Sequence, residues 1–299
     1  MEKMKAKQVH EFIKPYVVTS GEKFRLKDYD PRDTHGLKSG DKPEAKKLLD
    51  EGVLLLSEMQ DKLYAQSNWG LLLIFQGMDS AGKDSTIKHV MSGVNPQGVE
   101  VFSFKTPSSE ELAHDFLWRT NRCMPPRGKI GIFNRSYYEE VLVTRVHPEL
   151  LERQRIPMEL REEHIWKNRY QDISAFERYL TGNGIAIRKF FLNLSKKEQK
   201  RRFLDRLDHP EKNWKFSAAD VKERKYWDDY MSAYEKMIRN TASEHAPWVV
   251  VPADNKWFSR LLVVATIVDG LSSLNLEYPK VDPEQMAELK AARRGLEKE

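Results

Sequence analysis

Leu71-Leu72-Leu73-Ile74-Phe75-Gln76-Gly77-Met78-Asp79-Ser80-Ala81-Gly82-Lys83-Asp84-Ser85 decides the fold of this chain. The apolar run Leu71–Phe75 is short, made of large side chains and flanked by glycines, which is the pattern of a buried strand. G-x-x-x-x-G-K follows it. Gly77 and Gly82 let the backbone turn so that N–H groups point inward. Those groups, with the positive end of a helix starting near Gly82, form a cradle for phosphate oxygens. Gly77, Ser80, Ala81, Gly82, Asp84 and Ser85 are therefore the expected phosphate-binding positions, and Lys83 reaches toward a bridging or terminal phosphate.

Two positions depart from the common form of this loop. The residue after the lysine is normally Ser or Thr, whose hydroxyl binds Mg²⁺; here it is Asp84, with Ser85 one place late. Asp79 puts a carboxylate inside the loop, where phosphates repel it. A divalent cation between carboxylate and phosphate resolves that repulsion, so Asp79 is the expected metal ligand.

Working outward, strand and helix patterns alternate. Strands are expected at 70–76, 99–104, 129–133, 185–194 and 248–251. Helices are expected from Pro43 to about Ala65, from a cap at Ser108 or Ser109 through Trp118 to an end before Pro125-Pro126, near 138–146, over 158–180, 195–208 and 217–242, and over 256–273. Alternation with the phosphate loop after the first strand specifies an α/β fold of the P-loop kinase-like, three-layer kind. A parallel β-sheet carries helices on both faces, and a basic helical segment forms a lid. Residues 1–45, with a short helix near Val9–Ile13, are expected as an irregular N-terminal arm. Residues 46–276 then form the P-loop kinase-like domain, and 277–299 a charged C-terminal helix. Ligands in such sheets bind beyond the carboxyl ends of the strands, which nominates Asp79, Lys105, Asn134, Arg135 and Asn193.

Composition narrows the function. The chain has 299 residues, a formal net charge of +5, one cysteine (Cys123) and no apolar run near the ~20 residues of a membrane span. An internal disulfide is excluded, and a cytoplasmic protein without a membrane partner is expected. Lys196 to Lys225 holds 11 Lys/Arg against 6 Asp/Glu, so this segment alone carries the net charge. Beside a phosphate loop it points to a long or highly charged anion. The eight histidines show no metal-ligand spacing, and no G-x-S-x-G nucleophile pattern is present. Phosphoryl transfer asks mainly for positioning and for cations on the migrating group. Lys83, Arg135, just past a strand end, and Arg201 and Arg202, in the basic segment, supply them. Asn134 stands where an Asp usually ends the strand. Glu139 and Glu140 follow within two turns and are able to face an acceptor.

These residues resemble a known family. Gly77–Asp84, Phe104-Lys105-Thr106-Pro107, His114–Arg119, Phe133–Glu139, Ser195–Gln199 and Ala246-Pro247-Trp248 are together similar to the polyphosphate kinase 2 family, over about Leu48 to Leu274. The resemblance implies a thymidylate-kinase-like fold and Mg²⁺-dependent (or Mn²⁺-dependent) transfer between inorganic polyphosphate and nucleotides. It implies that Asp79 holds metal, that Lys83 and Arg135 contact the transferring phosphates and that Arg201 or Arg202 acts from the lid. It places Lys105, Arg119, Arg122, Asn134 and Glu139 on the nucleotide, and it implies a homo-oligomer. Asn134-Arg135-Ser136 with Glu139, and Met91–Pro96, look like the subclass that accepts both AMP and ADP; guanine nucleotides are a further option. The alternatives are an ATP-dependent nucleotide kinase on the same fold and a basic nucleic-acid-binding protein. The abundance of charged strand-end residues weighs against nucleic acid as the partner.

Overall fold

The computed structural model describes residues 6–161, 164–214 and 216–299. In chain order its helices and strands are α1 (Ala6–Ile13), β1 (Val17–Val18), α2 (Lys42–Gln66), β2 (Gly70–Gln76), α3 (Lys83–Val90), β3 (Val99–Ser103), α4 (Trp118–Asn121), β4 (Ile130–Asn134), α5 (Glu139–Val146), α6 (Glu149–Glu152), α7 (Ile165–Gly182), β5 (Ile185–Asn193), α8 (Lys196–Leu207), α9 (Pro210–Asn213), α10 (Ala218–Glu223), α11 (Trp227–Thr241), β6 (Trp248–Pro252), α12 (Lys256–Ser272) and α13 (Pro283–Leu296).

The sheet order is β1-β6-β5-β2-β4-β3, parallel except for β1. The phosphate-loop strand β2 lies inside it, with β5 on one side and β4 on the other. Alternate residues of β2 serve opposite layers, as the two-residue strand period requires. Leu71, Leu73 and Phe75 pack with α2 and α12 residues such as Leu56, Leu63 and Val264. Leu72 and Ile74 pack with Val141, Ile173 and Tyr234 of α5, α7 and α11. All five β2 side chains are at most 1% exposed, each stabilising the fold by about 1.5–3 kcal/mol. This is the three-layer arrangement that the alternation predicts.

Four elements differ from the pattern expected of the sequence. The arm is not wholly irregular: Val9, Ile13 and Tyr16 are buried in the core, and Val17–Val18 pairs antiparallel with Trp248–Val249. A two-residue strand is too short to show a period. The helix expected from Ser108 shrinks to a 3-10 turn, Glu111–Ala113. Ser108 and Glu111 do form a reciprocal cap. His114 is then extended, and the Asp115 carboxylate accepts from Leu117 N, so helix restarts only at Trp118. The helix expected over 158–180 begins at Ile165 after a 3-10 turn at Met158–Leu160; residues 162 and 163 lie outside the described residues. The helix expected over 217–242 is broken by a 3-10 turn at Arg224–Tyr226. No helix among the described residues is long and apolar enough to cross a membrane.

Candidate active site

The site is built at the carboxyl ends of β2 and β4. Gly77 adopts φ +152°, and a β-carbon there would sit 3.0 Å from the Leu192 carbonyl oxygen, so only glycine fits. Gly82, at φ +103°, turns the chain into α3. Lys83 Nζ folds back onto the loop, donating to the carbonyls of Gly77 (2.6 Å) and Met78 (3.3 Å). Its side chain is buried. Burial lowers its pKa first, and the Arg135 charge adds to the effect, while Asp79, Glu139 and Asp84 oppose it. Ser85 Oγ turns back to Gly82 O (3.0 Å). Ser80 Oγ is buried with no hydrogen-bond partner among the described residues, an orphan polar atom inside the cradle.

Opposite the loop stands Arg135. Its backbone N–H donates to Phe75 O (3.0 Å), prolonging the β2–β4 ladder, and φ +64° then turns the chain out of the sheet. A non-glycine residue in that region is strained, and such strain persists where neighbours hold it. Arg135 Nη2 donates to Asp79 Oδ1 (2.7 Å), and Nη1 lies 3.6 Å from Glu139 Oε2. The guanidinium charge is reinforced chiefly by Glu139, whose own carboxyl is pushed up by burial against the pull of Arg135 and Lys83. The Gln76 amide, oriented by its neighbours, donates to Glu139 Oε1 (2.8 Å) and accepts from Ser136 N (3.1 Å). Beside this pair, Asn134 Nδ2 donates to Asp84 Oδ1 (2.5 Å).

Helix α8 braces the loop from the other side. Ser195 caps it by accepting from Glu198 N, and is itself tied to Asp254 through N (2.8 Å) and Oγ (2.7 Å). Gln199 Nε2 donates to Asp79 O (2.9 Å). Arg202 Nη1 donates to Ser80 O (3.0 Å) and Ala81 O (2.9 Å), and Nη2 to Ala253 O (2.6 Å). Three successive loop carbonyls are thus held by two side chains of one helix. Arg202 is 5% exposed and its guanidinium is bound to protein backbone, while the residue still borders the cleft. Arg201 is exposed and engaged with Glu198 at 2.7 and 2.6 Å, and does not line the cleft.

Between loop and lid lies a cleft of about 1240 Å³, bordered by Asp79, Lys83, Asp84, Lys105, Asn134 and Arg135. From the basic segment only Arg202, Arg206 and Lys212 reach it among the described residues, and Asp205, Glu211 and Asp220 stand among them; Lys215 lies outside the described residues. Asp205 holds Lys212 at 2.9 Å. The cationic track is therefore narrower than the segment's charge suggests, with Lys196, Lys197, Lys200, Lys222 and Lys225 exposed elsewhere. Lys256, at the start of α12, also lines the cleft. Sequence reading missed it, although its place just after β6 obeys the same strand-end rule.

Arg119, Arg122 and Glu139 do not reach this cleft. Arg119 is buried, donating to Lys105 O (2.8 Å) with its guanidinium 5.6 Å from the Phe104 ring. It lines a second cavity of about 300 Å³ with His114, Phe116, Glu140, Gln154 and Arg169. Lys105, on the cleft wall, joins the two spaces through that Arg119 bond. Arg122 stacks on Trp118 at 4.7 Å on the outer surface. Gln154 and Arg169 carried no sequence signal, because only folding brings them to Glu140.

A phosphate cradle after a buried central strand, with a cationic cleft at the strand ends, defines a phosphoryl-transfer protein of the P-loop kinase-like class. Residues 39–279 match the family model described as polyphosphate kinase 2. A Rhodopseudomonas palustris protein named ADP-polyphosphate phosphotransferase is 55% identical over 250 residues, covering 83% of this chain and 86% of its own. An AMP/ADP-polyphosphate phosphotransferase of Meiothermus ruber is 43% identical over 276 residues, covering 92% and 98%. The crystal structure of polyphosphate kinase 2 from Arthrobacter aurescens TC1 superposes with a TM-score of 0.85 at 42% identity, covering 93% of this chain and 95% of that one. The chain belongs to the polyphosphate kinase 2 family.

Proposed function

We propose that this chain is an enzyme that moves the terminal phosphoryl group of inorganic polyphosphate to AMP and ADP, giving ADP and ATP, reversibly. Family membership together with relatives named for transfer to ADP and to AMP and ADP supports the substrates. The carrying observation in the structure is the meeting of Lys83, Asp79 and Arg135 over one cleft. A terminal phosphate oxygen of the nucleotide attacks the end phosphorus of polyphosphate. The P–O–P bond breaks, and the leaving chain is one phosphate shorter.

In this reading the donor lies on the loop. In a trans peptide the carbonyl and the following N–H point opposite ways. Anchoring the Asp79 and Ala81 carbonyls on α8 therefore directs the Ser80 and Gly82 N–H groups away from that helix, toward phosphate. Lys83 exchanges its two loop carbonyls for phosphate oxygens. Arg135, fixed by Asp79 and Glu139, sits between donor and acceptor and neutralises charge that builds on the moving group. The 300 Å³ cavity behind Lys105 takes the nucleoside, with Glu140, Arg169 and Gln154 as its polar contacts; Arg119 orients Lys105.

A divalent cation fits the donor set. Among the described residues no group of three His, Cys, Asp or Glu side chains converges as a cage. Mg²⁺ bound through one or two carboxylates and the substrate's own phosphates needs none. Asp79 and Asp84 are the carboxylates that would hold it, with Mn²⁺ as a substitute, and it would offset charge on the phosphates. The assembly is proposed to be a cytoplasmic homo-oligomer, with residues 46–276 as the catalytic domain.

The test is incubation with Mg²⁺, ADP and polyphosphate in the absence of ATP, followed by ATP detection. ATP formation that scales with polyphosphate supports the reading. Activity only when ATP is supplied as donor, with AMP as acceptor, returns the ordinary nucleotide kinase.

A further inference from the structure

Gln199 belongs to the Ser195–Gln199 motif, and it touches neither cleft nor cavity. Its side chain is 1% exposed, and both ends of its amide are engaged. Nε2 donates to Asp79 O at 2.9 Å. Oε1 accepts from Arg224 Nη1 at 2.5 Å, and the same Arg224 nitrogen donates to Lys196 O at 3.2 Å. Arg224 opens the 3-10 turn Arg224–Tyr226, which ends the lid. The lid residues that face the cleft, from Asp205 to Asp220, lie in the chain between Gln199 on α8 and Arg224, which returns to it. The next residue in line is Arg135, held by the Asp79 carboxylate at 2.7 Å.

We propose that Gln199 is a positioning residue that couples the lid to the reacting arginine, through Arg224, its own amide, Asp79 and Arg135. The inference rests on the phosphotransferase reading above for its kinetic arm only. An amide suits the task because it accepts from a guanidinium on one side while donating to a carbonyl on the other. Neither apolar nor acidic side chains do both. A lid displaced by a ligand pulls first on Arg224. That movement reaches Asp79 through Gln199, which is buried and bonded at both ends of its amide. Spatial continuity alone does not demonstrate coupling, so the test is a mutant cycle.

The full-length enzyme is compared with Arg224→Ala, Gln199→Ala, Gln199→Glu and the Arg224→Ala/Gln199→Ala double variant. Turnover and KM for ADP and polyphosphate are measured. Amide hydrogen exchange is followed over residues 77–84, and thermal midpoints are recorded. Loss of one such bond should lower turnover about tenfold, with KM for ADP nearly unchanged. The double variant should be no slower than Gln199→Ala alone. Gln199→Glu keeps a partner for Arg224 but loses the donor to Asp79, so it should be as slow as Gln199→Ala. Loop exchange should rise in both single alanine variants. Multiplicative losses in the double variant, or loop exchange unchanged in Arg224→Ala, would overturn the coupling. Should Gln199→Ala fail to fold, Arg224→Ala with rescue by Arg224→Lys decides the same point. A wild type without polyphosphate-dependent ATP formation refutes the proposed function instead, and the exchange measurement still judges the coupling.

Discussion

Arg202→Ala separates two physical accounts of the same arginine. A lid arginine that meets the reacting phosphate carries little of the fold's stability. The structure instead buries the side chain at 5% exposure, with donors on Ser80, Ala81 and Ala253 carbonyls and Nε on Glu198 at 2.8 Å. Hydrogen bonds to charged groups contribute about 1.5–3 kcal/mol each, but those sharing one side chain are not additive. Burial itself disfavours the charge and lowers the arginine's pKa, which offsets part of the gain. Glu198 retains Arg201 after truncation. A net loss of about 3–4 kcal/mol follows, dominated by carbonyls left without donors. At roughly 2 °C per kcal/mol for a chain of this size, the thermal midpoint should fall by about 6–8 °C. Turnover should fall too, at every polyphosphate length, because the loop proposed to hold the donor loosens. Arg202→Lys should recover little, since an ammonium does not span carbonyls on two sides of the side chain. The assay is a thermal melt paired with initial rates at saturating polyphosphate. A midpoint within about 1 °C of wild type, with turnover reduced, would refute the bracing account and restore the lid arginine.

Three more expectations are checked by similar means. Lys83→Ala should lower turnover about 10²-fold or more, measured as ATP formed from ADP, while the protein remains folded by circular dichroism. Glu139 is a largely buried carboxyl whose pKa is raised, so the folded state binds its proton more tightly than the unfolded state does. Its contribution to stability is then present at low pH and is lost as pH rises from the ordinary carboxylate range through the raised value. Glu139→Gln should remove that slope in melts taken across pH, gaining on wild type as pH rises, yet lose activity because Arg135 loses a charged partner. The polyphosphate KM should rise more steeply with salt than the ADP KM, as counterion release from a polyanion demands. Arg206→Ala or Lys212→Ala should flatten that slope, whereas exposed Lys197→Ala and Lys200→Ala should leave it unchanged.

What sequence revealed and what it hid divide along range. The order of strands and helices, the loop and the strand-end rule were legible, because buried strands and glycine turns are local patterns. Asp79, Lys105, Asn134 and Arg135 reach the cleft as that rule requires, whereas Asn193 does not and donates instead to Tyr29 O at 2.8 Å. Hydrogen-bond partners across the chain were not legible. Arg202 finds Ser80 across 122 positions, and Gln199 finds Asp79 across 120. A basic helix reads the same whether its arginines face solvent, substrate or a neighbouring loop. Net charge misled for a related reason: it counts Lys196, Lys197 and Lys200 equally with Lys212, although only the last lines the cleft. The β1 pairing was hidden because its register depends on β6, more than two hundred residues away.

The two departures from the common loop pattern explain one another. Asp84 replaces a hydroxyl after the lysine, and Asn134 replaces a carboxylate at the strand end. Taken singly, each looks like a weakened site: a repulsive charge in one place and a lost ligand in the other. The structure puts them in contact, with Asn134 Nδ2 donating to Asp84 Oδ1 at 2.5 Å. The pair therefore still offers one carboxylate and one neutral group to the phosphates, with their positions exchanged. Two carboxylates there would repel each other and the substrate. A hydroxyl with an amide would leave Asp79 as the sole anionic donor, already shared with Arg135 at 2.7 Å. The exchange keeps a second anionic oxygen beside the loop and fixes its direction by the amide. That direction also frees Asp79 to hold Arg135, so the loop carboxylate and the strand-end arginine are joined, and in the proposed reading Asp84 would be the carboxylate that meets a hard cation on the phosphates.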